Sequence, residues 1–221
     1  MSMIAAGSLA RDKRNGQLVF VCDDEHSPSK EWDDPSRILD IEPIDPRASH
    51  KESHRSECFE ADLAEVTEAN GADRQAVCAH YDCMIIRNHW TEDTPPERHY
   101  RIWVFKEDDR ASIWLQQGYF GRLELLRELS ATFTIALSHA IRESRLFEWD
   151  RTYENKRDQG WTIGGNAWSI ALIAGDLKVS TEGLDAFPSM LEGLCRNLRK
   201  LGVPVRLRKN RGLEYAPTRK K

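Results

Sequence analysis

YRIWVFKEDDRASIWLQ, residues 100–116, holds two strand-like runs around a polar centre. Residues 100–105 and 112–116 are rich in β-branched and aromatic side chains, and KEDDR at 106–110 is a turn, so a β-hairpin is expected. Trp103 and Trp114 fall on its opposing strands, placed to face each other across it. Gly118 and Gly121 then lead into an expected helix over 122–144. There Leu126, Leu129, Phe133, Leu137, Ala140 and Ile141 keep helical spacing for several turns.

The same order recurs downstream. Residues 168–174, the turn Gly175-Asp176 and residues 177–181 form a second hairpin pattern. After Gly183, Leu184, Phe187, Leu191, Leu194, Leu198 and Leu201 return at intervals of three and four, stopping at Gly202. Residues 100–133 and 168–201 match in length to within a residue. This predicts a ββα unit used twice in the C-terminal half of an α+β protein, its antiparallel sheet packed by helices on one face. A last strand over 203–208 is expected to pair, through 210–212, with 213–215.

Upstream the pattern is weaker. A strand is expected over 17–22, after the Asn15-Gly16 turn pair. Residues 23–46 are acidic and interrupted by Pro28, Pro35, Pro43 and Pro46, which predicts loop with a short extended piece at 38–41. Helices are expected over 57–70 and from about 73 to 85, with a connector at 90–98. The resulting division is an acidic, loop-rich region 1–98 and a ββα-ββα region 99–221 ending in a basic strand and tail.

Charge is sorted along this frame. Residues 23–68 carry fifteen acids against five bases, a net of −10, whereas residues 196–221 carry ten bases against Glu214 alone, a net of +9. The whole-chain value of −4 hides that contrast. A basic end of this density attracts a polyanion or folds back on an acidic region. Arg196, Arg199 and Lys200 on a helix, with Arg206, Arg208, Lys209 and Arg211 on the following strand and turn, form a ridge suited to phosphates. Trp149, Tyr153 and Trp161, interleaved with Arg151, Lys156 and Arg157, add aromatics that could stack on unpaired bases or anchor a protein partner.

Leu198-Arg199-Lys200-Leu201-Gly202-Val203-Pro204-Val205, followed by Arg211-Gly212-Leu213-Glu214-Tyr215, resembles the end of a winged helix-turn-helix of the biotin-repressor and DeoR-like regulators. The resemblance covers about a fifth of the chain. It implies a first helix over 170–174 and a recognition helix over 190–201. Pro188 stands where the intervening turn would be, and the span 181–202 is some four or five residues short for two helices and a turn.

Catalytic signatures are sparse. His50, His54 and Cys58 follow at intervals of four, and Cys78, His80 and Cys83 lie close together in sequence, a donor set that suits zinc. No C-x2-C pair and no H-E-x-x-H accompany them. Arg74 and His80 have a spacing that resembles HEPN-type ribonucleases. Five cysteines without regular spacing point away from a disulfide framework and toward a reducing, cytoplasmic setting. No apolar run is long enough for a membrane span.

The expectation is therefore a non-catalytic protein that binds nucleic acid or another polyanion, as a regulator or a subunit of a nucleoprotein assembly, with no cofactor. The first alternative is a protein-binding inhibitor or adaptor whose acidic half masks a basic partner surface. The second is a zinc-dependent enzyme built on His50, His54, Cys58, Cys78, His80 and Cys83.

Overall fold

The structure is a computed structural model that describes residues 4, 8–21, 38–44, 56–90, 99–117, 123–154, 166–208 and 212–215. The chain forms two compact units, residues 1–67 with 175–177, and residues 68–174 with 178–221.

The first unit is a meander of β1 (Leu9–Asp12), β2 (Leu18–Val21), β3 (Ile38–Pro43) and β4 (Ser56–Phe59), closed by β5 (Leu63–Glu65). The sheet order is β4-β3-β2-β1-β5, antiparallel throughout. Its two edge strands are joined only by the 3-10 turn Glu60–Asp62. So short a link spans roughly 10–14 Å at full extension, so the sheet must curl to bring its edges together. Ala10, Val19, Val21, Leu39, Ile41 and Leu63 fill the interior. Asp12 is buried at the β1–β2 turn, where its carboxylate accepts from the Arg14 amide and side chain and from Asn15 Nδ2. The Arg14 side-chain hydrogen bonds hold the Asp12 carboxyl below its usual value. The helix expected over 57–70 is not formed. Its residues instead supply β4, the 3-10 turn, β5 and the short β6 (Thr67–Glu68), because pairing with β3 and β1 outweighs local helix propensity.

The second unit is built on an eight-stranded sheet. It contains β7 (Cys83–Trp90), β8 (Tyr100–Glu107), β9 (Arg110–Gln117), β10 (Leu123–Leu129), β11 (Thr152–Glu154), β12 (Asn166–Ala174) and β13 (Leu177–Leu184). Their order is β10-β9-β8-β7-β12-β13-β11, with β6 also paired to β13. β11 runs parallel to β13, whereas β10–β9, β9–β8, β8–β7 and β7–β12 pair antiparallel. Register puts Met84 and Ile86 on one face with Ile102, Val104, Ile113, Leu115, Ile170 and Leu172, all buried. α1 (Ala72–His80) packs on β12, and α2 (Ala131–Glu143) packs on β9, β10 and α1. α3 (Leu191–Lys200) packs on α2 and on β14 (Val205–Arg208), which pairs antiparallel with β15 (Gly212–Tyr215).

The protein is thus α+β, with antiparallel sheets and three helices among the described residues. Both hairpins form: Trp103 pairs with Trp114, and the turn tightens to Asp108-Asp109. Besides the helix over 57–70, further expectations change, among them the stripe read from Leu184, which lies in β13, with α3 starting only at Leu191. The helix read over 122–144 starts only at Ala131, because Leu123–Leu129 extends the sheet as an edge strand on β9. The helix read from 73 to 85 stops at His80, and β7 begins at Cys83. Residues 170–174, the first helix of a winged helix-turn-helix, lie inside β12, so that arrangement is not formed. The 98/99 division read from the sequence falls between β7 and β8, which pair along six positions.

Candidate polyanion-binding groove

α3 is amphipathic by its spacing. Leu191, Leu194, Cys195 and Leu198 are buried, which turns Glu192, Arg196, Arg199 and Lys200 outward. The helix ends in a Schellman reversal. The amide of Gly202 donates to Arg199 O at 3.1 Å and that of Val203 donates to Leu198 O at 3.0 Å. Gly202 has φ +97, a backbone conformation that favours glycine, and a Cβ there would also lie 2.8 Å from Arg127 Nη1, the movable end of an exposed side chain. Pro204 follows, and β14 returns alongside the helix.

Between α3 and β14 lies a groove of ≈ 430 Å³ lined by Glu192, Cys195, Arg196, Arg199, Lys200, Arg206 and Leu207. Four cations therefore face one carboxylate. Arg196 Nη2 reaches Glu192 Oε1 at 3.5 Å, and both side chains are exposed, so this pair is worth only about 0.3–0.5 kcal/mol. Arg199, Lys200 and Arg206 have no ion-pair partner among the described residues. Glu214 is the register partner of Arg206 across the β14–β15 hairpin. Arg199 and Lys200 occupy the last turn of α3, where the carbonyl end of the helix favours positive charge. At the floor, burial pushes the Cys195 thiol up to about 12, so it stays neutral and apolar near neutral pH rather than acting as a nucleophile.

The sequence-derived candidates divide as follows. Arg196, Arg199, Lys200 and Arg206 come together in the groove. Arg208 ends β14, while Lys209 and Arg211 lie outside the described residues. Trp149 is only 7% exposed and its indole N–H donates to Ser144 O at 2.9 Å, which commits the ring to the core. Tyr153 is half-buried and stacks on Trp168, with centroids 6.2 Å apart. Trp161 lies outside the described residues.

Of the zinc candidates, His50 and His54 are outside the described residues, and Cys58 is on β4 of the first unit. Cys58 Sγ lies 3.3 Å from Arg14 Nη2. Cys78 is buried on α1, with its thiol pushed up to about 11 by desolvation. His80 is exposed at the end of that helix, and Cys83 is buried at the start of β7. Among the described residues, no group of three or more His, Cys, Asp or Glu side chains is placed to hold a metal ion. The Arg74 guanidinium donates to the Phe147 and Trp149 carbonyls at 2.8 and 2.9 Å, fixing the turn after α2. No helix among the described residues is long and apolar enough to cross a membrane.

One cation escaped the sequence reading. Arg127, on β10, lies against Gly202 at the end of α3 and 5.3 Å from the centroid of the Phe133 ring. Nothing in its local sequence marks it as part of the C-terminal basic cluster. The chain matches no family model, no curated protein and no solved structure. The groove's own chemistry therefore carries the functional reading.

Proposed function

We propose that this protein binds nucleic acid or another polyanion through the groove between α3 and β14, without catalysis, as a regulator or a subunit of a nucleoprotein assembly. The observation that supports it is the convergence of Arg196, Arg199, Lys200 and Arg206 on one groove with Glu192 as the only carboxylate among its described lining residues. Such a surface holds phosphates by charge and reads no base edges, so its affinity depends steeply on salt. The same proposal places the protein in the cytoplasm. It also takes β8–β9 with α2, and β12–β13 with α3, as one ββα unit used twice, the first with β10 inserted.

The test is binding of a fluorescent oligonucleotide over a range of salt. Affinity should fall linearly on a log–log plot, and Arg199→Ala, Lys200→Ala and Arg206→Ala together should flatten the line. Binding that ignores salt, or survives the triple substitution unchanged, would refute the reading. Capture of a basic protein instead, abolished by charge reversal within residues 23–34, would favour the masking role.

A further inference from the structure

We infer that the ligand of this groove is an unpaired nucleic-acid strand, and that Arg127 and Phe133 supply a stacking platform for one of its bases. The inference rests on the groove reading and adds the class of strand to it. The cationic strip does not stop at the end of α3. Arg199 and Lys200 sit in the last turn, Gly202 follows, and the Arg127 guanidinium is packed directly against Gly202. From Arg196 to Gly202 the strip covers about 9 Å at 1.5 Å per residue. It then continues through Arg127 onto Phe133, whose ring is 5.3 Å from the guanidinium carbon.

Phe133 is in the first turn of α2 and remains 37% exposed. Register places Arg127 beside Ile113, on the sheet face that also carries the buried Val104 and Met84. Among the described residues Arg127 has no carboxylate partner. A planar cation resting on a half-exposed ring, beside a phosphate-holding groove, offers a splayed base a surface on which to stack. A duplex cannot use it, because its bases are already stacked on one another. Stacking of this kind tolerates any base.

The experiment compares four ligands at one salt concentration: dT12, U12, an abasic strand of the same length and a 12-base-pair duplex. The wild type should bind dT12 or U12 about tenfold more tightly than the abasic strand, the worth of one stacked base. Phe133→Ala should erase that preference while leaving abasic affinity unchanged, and Phe133→Tyr should keep it. Arg127→Lys should keep abasic affinity and lose the preference, because the charge remains and the plane does not. Circular dichroism and a melting curve establish that each variant is folded. Equal affinity for abasic and base-bearing strands, or tighter binding of the duplex, would overturn this inference and leave the groove standing. Failure to bind any of the four would overturn both.

Discussion

α2 and α3 are both amphipathic helices that follow antiparallel strands and pack on each other, yet their outward faces differ in kind. α2 exposes Thr132, Phe133, Ile135, His139, Arg142 and Glu143, a mixed surface on which His139 Nδ1 lies 3.5 Å from Glu143. α3 exposes Glu192, Arg196, Arg199 and Lys200 and has a strand returning beside it. A similar local architecture thus serves two ends. One helix covers the sheet, and the other also walls a charged groove, because Gly202 reverses the chain tightly enough to bring β14 back.

The comparison can be broken most severely at the buried stripe of α3. Leu198 is fully buried, and Leu198→Ala should cost about 2–5 kcal/mol by chemical denaturation. Ile135→Ala on α2, at a site 68% exposed, should change stability by no more than about 0.5 kcal/mol. Equal losses would mean that the two helices do not bury the faces described.

The helix ends give the next contrast. Gly202→Ala should destabilise by about 1–3 kcal/mol, since it adds a side chain at positive φ and displaces Arg127. Arg145 closes α2 with its own left-handed backbone at φ +51, so Arg145→Gly should stay within about 0.5 kcal/mol. Thermal midpoints of the two variants measure the difference.

A binding measurement sharpens the contrast further. Replacing Arg199, Lys200 and Arg206 by alanine should reduce the log–log salt slope by about 2, at roughly 0.7 per phosphate on a single strand. Arg142→Ala on α2 should leave the slope unchanged.

The smallest effect is one of pH. Burial raises the Cys195 thiol to about 12, so the folded protein keeps a proton that the unfolded chain loses near pH 9. Its contribution is complete below about pH 9 and is lost as pH climbs toward 12. Cys78 and Tyr81, raised by burial to about 11 and about 12, bend the curve the same way. The telling quantity is therefore the difference between wild type and Cys195→Ala, whose alkaline decline should be shallower.

Much of this was legible in the chain itself, for local reasons. The two hairpins of the sheet announce themselves through alternation and tight turns, and α3 through its leucines from Leu191 on, whereas Leu184 and Phe187 of the same stripe precede the helix. LELLREL at 123–129 misleads because its leucines fit a helical stripe as well as a strand, and its residues are good helix formers. What decides it is a partner strand, β9, waiting in register. Residues 57–68 mislead similarly, since β4 and β5 exist only through pairing with β3 and β1. Arg196, Arg199, Lys200 and Arg206 could be foreseen because one helix face and the next strand hold them. Arg127 could not, because only tertiary packing brings β10 to Gly202.

The reversal at Gly202 also governs how the groove would work. Two backbone hydrogen bonds close it, and they belong to the folded chain whether or not anything is bound. A ligand would then meet a backbone already in place, and the ordering left to oppose its capture would be that of the exposed Arg and Lys side chains. Encounter would be steered by the long-range field of the cations, so ionic strength would act on the rate of arrival as well as on affinity.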